Sequence, residues 1–172
     1  MLTSKTITLR LVEESDADFI VSLRTDDKYN KYLSTVGSDV DAQRKWISSY
    51  KEKERNKNEY YFIIQRNDGV RCGTVRVYDL KEDSFCWGSW ILNEDKTRYA
   101  AVESALLVYE FGFKHLGFNQ SHFEVVKGNT KVIDFHKKFG AEQVDEDADH
   151  FYFTISRESV AETKIKFSRI IK

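Results

Sequence analysis

The first third of the chain changes from an alternating pattern of apolar and polar residues to a helical one. Residues 5 to 12 place Ile7, Leu9 and Leu11 at every second position, which predicts a first strand. Ser15–Asp16 can cap a helix through "DADFIVSLR". A short helix is predicted through "KYNKYLS", and a longer one over Asp41–Arg55 with a charged outer face.

Three strands and the most apolar helix follow. "YYFIIQR" (60–66) meets "NDG", an Asp-Gly turn that favours a hairpin with "VRCGTVRVYDL" (70–80). "FCWGSWIL" (85–92) is the next strand in this series. After the polar loop "NEDKTR", apolar residues recur at helical spacing from Tyr99 to Leu116.

The last part of the chain repeats the order strand, helix, strand. "SHFEVVK" (121–127) and "HFYFTIS" (150–156) are the strands. Between them, "GNTKVIDFHKKFGA" (128–141) is a helix that Asn129 can cap and that Gly140 can end in a left-handed conformation.

This order of elements predicts one α+β domain over residues 1–172, with a mixed, mostly antiparallel twisted sheet flanked by helices. The segment from "FCWGSWIL" to "SHFEVVK" is suited to a parallel pair of strands joined by a right-handed crossover. A ligand phosphate often lies at the start of such a crossover helix. The tail, from about 158 to 172, is compatible with a helix.

Composition and charge exclude several classes of function. The formal net charge is −1, from 27 basic and 28 acidic residues, so the surplus of cations that non-specific nucleic-acid binding requires is missing. No apolar run reaches the ~18 residues of a membrane span, which excludes membrane insertion. Four histidines without ligand spacing argue against a metal site, and two cysteines without a signal-peptide pattern favour reduced thiols in a cytoplasm.

Three motifs resemble the GNAT superfamily of acetyl-CoA-dependent N-acyltransferases. "LRLVEESD" resembles the opening of the branch that includes ribosomal-protein acetyltransferases and many nucleotide-sugar N-acetyltransferases. "GNTKVIDFHKKFGA" resembles the family's asparagine-containing helix, and "YEFGFKHLGFNQSHFEVVKGN" resembles the segment before it. The resemblance covers nearly the whole chain and implies the GNAT fold, an acyltransferase activity and acetyl-CoA as co-substrate.

The resemblance also implies where coenzyme A binds. The family's loop before the long helix carries glycines beside the pyrophosphate, whereas "KTRYAA" stands there in this chain, with Lys96 and Arg98 able to contact phosphates. Family members also separate two strands at the position of "CWGSWIL", so that backbone groups pair with pantetheine. The predicted cofactor-side residues are Ile91, Leu92, Lys96, Arg98, Tyr99, Ala100, Ala101 and Asn129.

His136 occupies the position where GNAT enzymes often carry a tyrosine that protonates the departing thiolate. A histidine with an ordinary pKa near ~6.5 can donate a proton at neutral pH, so we expect His136 to be the general acid or to bind a water that is. The alternative is a core histidine held by a backbone carbonyl. Asn129 has a similar alternative, because capping alone would explain its position.

The resemblance places the acceptor near the first two helices and their loop. That region mixes cations with aromatic rings, a combination suited to a phosphate and a stacked ring. Alternation along the strand predicts Trp87 and Ser89 on one face and Trp90 on the other. The predicted substrate-side residues are Arg24, Tyr29, Lys31, Tyr32, Trp46, Trp87 and Ser89.

The sequence therefore favours direct N-acetylation of a small-molecule amine, best a nucleotide-linked amino sugar for surface-polysaccharide synthesis. A protein N-terminal or small-amine acetyltransferase is the alternative within the enzyme class. A non-catalytic module that binds coenzyme A is the alternative outside it. The general base stays unassigned, and a homodimer paired through an exposed strand stays open.

Overall fold

A single eight-stranded sheet runs through the molecule in the computed structural model, which describes residues 1–33 and 35–169. The spatial order of strands is β1-β2-β3-β4-β5-β6-β8-β7. Every neighbouring pair is antiparallel except β5–β6, which is parallel. The strands are β1 (Leu2–Thr3), β2 (Ile7–Leu11), β3 (Tyr60–Arg66), β4 (Arg71–Lys81), β5 (Ser84–Leu92), β6 (Gln120–Val126), β7 (Glu142–Glu146) and β8 (His150–Ser156).

Helices cover both faces of the sheet, and the predicted α+β fold is confirmed. On one face, α3, α4 and α5 pack over a large apolar core, while α1 and α2 cover part of the other face with a smaller cluster. The helix α3 continues directly into a π-type turn, Phe111–His115. The helices of the described residues are α1 (Ala17–Arg24), α2 (Val40–Arg55), α3 (Ala100–Glu110), α4 (Thr130–Phe139) and α5 (Arg157–Phe167).

Three elements differ from the sequence prediction. The short strand β1, which pairs with β2, was not predicted. The predicted helix "KYNKYLS" is absent, because the described residues of this segment form turns between α1 and α2, and Ser34 lies outside the described residues. The strand β7 was not predicted, since its residues, "EQVDE", are all exposed and show no apolar alternation. The predicted tail helix forms as α5, and residues 170–172 lie outside the described part of the chain.

A buried ion-pair network fixes the first helix to the sheet. The side chain of Asp16 is 2% exposed and accepts two hydrogen bonds of 2.8 Å from the guanidinium of Arg10 on β2. Arg71 on β4 donates to the same carboxylate at 3.2 Å. Burial alone would raise the pKa of Asp16, but the hydrogen bonds from Arg10, the Glu13 amide and Arg71 lower it overall.

The described residues contain no helix with the length and hydropathy needed to cross a membrane. Within the same residues, no group of three or more His, Cys, Asp or Glu side chains is arranged to hold a metal ion.

Candidate active site

The parallel strands β5 and β6 separate after their first few residues. They pair at only three positions, where Ser84, Phe85 and Cys86 face Gln120, Ser121 and His122. Beyond Cys86 the strands diverge, and a cavity of about 760 Å³ opens between them. The separation expected at "CWGSWIL" is therefore present in the structure.

A bulge in β5 shapes one wall of this cavity. Thr74 of β4 lies opposite Ile91 and Arg76 lies opposite Gly88, so β5 carries one extra residue. Ser89, within the bulge, has a positive φ of 49°, an uncommon conformation for a residue with a side chain. The hydroxyl of Thr74 donates to the Ser89 carbonyl at 3.0 Å and holds this conformation in place.

The bulge brings both tryptophans of β5 to the same face of the sheet, so the predicted opposite orientation of Trp90 is wrong. Strict alternation fails here because the extra residue reverses the direction of the side chains that follow it. The two indole rings lie 5.1 Å apart between centroids. Trp87 donates from Nε1 to the Tyr109 hydroxyl at 3.2 Å, and Trp90 donates from Nε1 to Ser104 Oγ at 3.1 Å, both on α3.

His136 lies at the base of the cavity within a cage of aromatic rings. Its side chain projects from α4, is 5% exposed, and has no hydrogen-bond partner for Nδ1 among the described residues. Burial lowers the pKa of His136 to about 3, so the imidazole is neutral at neutral pH. The rings around it, with centroids 4.2 to 6.3 Å away, belong to Trp87, Trp90, Phe123, Phe135 and Phe153.

This environment changes what His136 can do chemically. With a pKa of about 3, roughly one imidazole in ten thousand carries the charge at pH 7, which disfavours donation of that proton to a thiolate. The backbone carbonyl proposed as the partner of an ordinary core histidine is also missing for Nδ1 in the described structure. His136 therefore offers the cavity a neutral ring with an unused polar atom.

Asn129 begins α4 and lines the cavity beside His136. The structure shows no hydrogen bond from its side chain to the first turn, so the predicted side-chain cap is absent. Gly140 ends the helix with φ of 108°, as predicted from its position. The Asn129 side chain is consequently not used by the helix.

The start of α3 lies outside the lining of the cavity, after the end of β5. No side chain caps this helix, so its positive dipole end faces outward, although the Ala100 amide already donates to the Thr97 carbonyl at 3.2 Å. Lys96 and Arg98 are exposed, and the Arg98 guanidinium lies 5.2 Å from the centroid of the Tyr99 ring. Ala100 is buried and Ala101 is half-buried. Ile91 and Leu92, by contrast, do line the cavity.

The loop after α1 crosses above the gap between the strands. The Tyr29 hydroxyl donates to the Glu94 carboxylate after β5 and accepts from the Glu94 amide at 3.2 Å. The Tyr32 hydroxyl donates to the Gly128 carbonyl before α4 at 2.9 Å. One loop is thereby hydrogen-bonded to both sides of the cavity.

Most of the predicted substrate-side residues meet at this cavity. Arg24, Lys31, Trp87 and Ser89 line it together with the two tyrosines of the loop. Trp46 does not, because its exposed ring stacks on Tyr50 of the same helix, 5.8 Å between centroids, and Tyr50 belongs to the separate cluster under α2.

Several polar residues of the cavity were not predicted as site residues. Arg76 and Tyr78 on β4 and Glu124 on β6 share the face of the sheet that α1 and α2 leave open. The signal in the sequence is the alternation of "VRVYD" and "SHFEVV", which puts these side chains opposite the apolar ones. Among the described residues that line the cavity, five are cations and two are carboxylates, namely Arg24, Lys28, Lys31, Arg76, Lys131, Asp27 and Glu124.

Comparison with known proteins agrees with this architecture. The family model described as the acetyltransferase (GNAT) domain matches residues 6–142. The structure described as apo FdhC, a nucleotide-linked sugar GNAT, is 55% identical, covers 99% of this chain and 98% of its own, and superposes with a TM-score of 0.92. A probable N-acetyltransferase of Bacillus subtilis (strain 168), YjcK, is 26% identical over 154 residues, 80% of this chain and 84% of the relative.

A more distant structure shares the fold alone. Spermidine N-acetyltransferase from Vibrio cholerae, in complex with CoA and spermine, is 16% identical, covers 90% of this chain and 98% of its own, and has a TM-score of 0.77. The expected family, fold and enzyme class are confirmed by the nearer matches. The chain belongs to the GNAT family of acetyltransferases and is an N-acetyltransferase.

Proposed function

We propose that this enzyme transfers the acetyl group of acetyl-CoA directly to the primary amine of a nucleotide-linked amino sugar. The observation that carries the proposal is the charge of the cavity. Five Lys and Arg side chains line it against two carboxylates, in a chain whose net charge is −1. Such a concentration of cations favours an acceptor with phosphate groups over a cationic polyamine. The similarity to a nucleotide-linked sugar GNAT supports the same class of acceptor.

The donor side of the site fits coenzyme A. The uncapped start of α3, with Lys96 and Arg98 beside it, suits the pyrophosphate. Ile91 and Leu92 offer a strand edge that no longer pairs with β6, so their backbone groups can bind the amides of pantetheine. Tyr99 and Ala101 contribute backbone amides at the helix start, on either side of Ala100, whose own amide donates to the Thr97 carbonyl. Asn129 contributes its unused side chain.

The acceptor side lies on the face of the sheet that α1 and α2 partly cover, opposite to the face covered by α3, α4 and α5. Arg24 and Lys31 bind the phosphates, while Tyr29 and Tyr32 form the roof above the sugar. Trp87 and Ser89 border the gap through which the amine reaches the thioester. Trp46 has no place in this arrangement, because it lies on α2 away from the cavity and stacks on Tyr50.

Glu124 is the carboxylate best positioned to remove a proton from the amine. If the β5–β6 register is continued, Glu124 lies opposite Gly88, the last residue before the bulge. A Cβ at Gly88 would lie 3.0 Å from the Tyr78 hydroxyl on β4, so this glycine leaves room for the Tyr78 ring, while the divergence of β5 and β6 leaves the gap itself open to the substrate. The ammonium of the acceptor transfers a proton to Glu124, and the neutral nitrogen then attacks the thioester carbon. The attack leaves a second proton on the nitrogen. As the C–S bond breaks, that proton passes, directly or through a water, to the sulfur of coenzyme A, which leaves as the free thiol, and the amide remains.

His136 takes part as a neutral ring in this mechanism. Its low pKa makes proton donation from an imidazolium unfavourable, so we assign it a hydrogen bond to the departing sulfur or to a water that protonates it. The aromatic cage keeps bulk water away from the thioester.

No acyl-enzyme is needed for this transfer. Cys72 and Cys86 are buried free thiols, and burial raises the pKa of each to about 11. Neither thiol supplies the thiolate that a covalent mechanism requires. Direct attack by the amine, with both substrates bound together, is the mechanism that remains.

A thiol-release assay with acetyl-CoA and a panel of amines tests the proposal. The panel contains nucleotide-linked amino sugars, polyamines and N-terminal peptides. We expect turnover on the sugars, and a loss of at least 100-fold in kcat for Glu124→Gln with coenzyme A affinity retained. Lys45→Glu, on the exposed face of α2, is the matched surface control. Turnover on polyamines or peptides with none on the sugars would reject the acceptor class, and tight acetyl-CoA binding without any turnover would indicate a binding module.

A further inference from the structure

A second cavity of about 440 Å³ lies beside the candidate active site. It is formed by the end of α1 and the loop that follows, a region to which the proposed chemistry assigns no role beyond its shared residues. Its lining residues are Arg24, Thr25, Asn30, Lys31, Leu33, Thr35 and Val36.

The two cavities meet at a positively charged boundary. Arg24, Lys31 and Leu33 line both of them, and the first two are cations. Arg24 is 8% exposed at the end of α1, so its guanidinium is held by the surrounding protein. Lys31 Nζ lies 5.3 Å from the centroid of the Tyr32 ring, whose hydroxyl is bonded to Gly128 on the far side of the gap. An anion that spans the boundary can contact a guanidinium and an ammonium at once.

Beyond the boundary, the second cavity combines groups that suit a nucleoside. Asn30 carries both hydrogen-bond donors and an acceptor, which match the edge of a nucleobase. Thr25 and Thr35 add hydroxyls that can bond to a sugar, although the Thr25 hydroxyl also donates to the Val21 carbonyl at 2.7 Å. Leu33 and Val36 supply apolar surface, and the volume lies within the range of small-molecule sites.

We infer that the second cavity binds the nucleoside of the acceptor, with the diphosphate across the Arg24–Lys31 boundary and the amino sugar in the larger cavity. This inference rests on the proposed function and adds a location for the nucleotide. A nucleoside diphosphate without any sugar should therefore bind to this enzyme. The nucleoside should contribute to the affinity for the acceptor and not to the rate of acetyl transfer, because it is held away from the gap where the amine reacts.

Binding of uridine diphosphate and thymidine diphosphate tests the inference by isothermal titration of the full chain saturated with coenzyme A. Val36→Trp fills the second cavity, and Lys31→Glu reverses a charge at the boundary on an exposed side chain. We expect saturable binding to the wild type and a loss of at least tenfold in affinity for each variant. Lys45→Glu makes the same charge change outside both cavities and retains the affinity. Melting temperature and coenzyme A affinity verify that each variant is folded.

Steady-state kinetics on a nucleotide-linked amino sugar complete the test. We expect Val36→Trp to raise KM at least tenfold while kcat stays within twofold of the wild type. Absence of saturable diphosphate binding, or wild-type affinity in both variants, overturns the inference. Full turnover with an unchanged KM in Val36→Trp rejects this location but keeps the acceptor class. Diphosphate binding that depends on Lys31 and Val36, without turnover on any nucleotide-linked sugar, keeps the site and rejects the proposed acceptor.

Discussion

The depressed pKa of His136 makes the stability of this enzyme sensitive to acid in a defined pH range. Above pH 6.5 the imidazole is neutral in the folded and the unfolded chain, so it has no effect on the pH dependence. As the pH falls below 6.5, the unfolded chain binds a proton that the folded chain, with a pKa of about 3, does not bind. Protonation therefore favours unfolding, and stability is lost between pH 6.5 and pH 3.

The size of this effect follows from the two pKa values. Between pH 7 and pH 4.5, the linkage relation gives a loss of about 2 to 3 kcal/mol in the free energy of unfolding from this one residue. His136→Phe removes the titrating group and keeps an aromatic ring among aromatic neighbours. We expect its free energy of unfolding to depend less on pH than that of the wild type, by this amount.

Urea unfolding, followed by circular dichroism at several pH values from 4.5 to 7.5, measures the difference. Carboxylates contribute acid sensitivity to both proteins, so the comparison is between the two slopes and not between their absolute stabilities. His115→Gln, at an exposed histidine, is the control and should behave as the wild type does. Parallel curves for the wild type and His136→Phe would refute the argument that burial keeps this imidazole neutral.

Three further substitutions test separate features. Asp16→Asn should lower the free energy of unfolding by about 2 kcal/mol, because it removes the charge from a buried carboxylate that binds two partly exposed guanidinium groups. Asp41→Asn, in an exposed pair, should lower it by less than about 0.5 kcal/mol in chemical denaturation. Gly112→Ala should lower the free energy of unfolding by about 2 kcal/mol or more, since a Cβ there would lie 2.0 Å from the buried Phe85 ring. A melting temperature equal to that of the wild type would contradict this. Asn129→Ala should weaken coenzyme A binding several-fold with little change in stability, because no capping bond is lost. A loss of about 1 kcal/mol with unchanged affinity would assign it to capping.

The regular elements could be predicted because their side chains report directly on burial. The strands 60–66 and 150–156 agree with the structure at both ends, since each is centred on a run of apolar residues that is partly or fully buried. The strand β7 escaped prediction because an exposed edge strand has no buried face to impose a pattern. The segment "KYNKYLS" was wrongly predicted as a helix because its aromatic residues line the cavity and do not form the apolar face of a helix.

The site was only partly predictable because its chemistry depends on tertiary contacts. His136 could be identified from its place on the helix, but its protonation state depends on its burial among rings, four of which come from the strands β5, β6 and β8. The orientation of Trp90 depends on a bulge that no local pattern reveals. Arg76 and Glu124 can be assigned to one cavity only when the strand order is known, because they lie on β4 and β6, on either side of β5.

The short ladder between β5 and β6 also has a mechanical consequence. Strands β1 to β5 and strands β6 to β8 form two plates that are joined within the sheet at three residue pairs only. Hydrogen exchange of the amides around Ile91 and Val125 should therefore report on the two plates moving apart. A pantetheine arm held between them would act as a missing strand, so binding of the donor should stiffen this joint and slow the exchange on both sides.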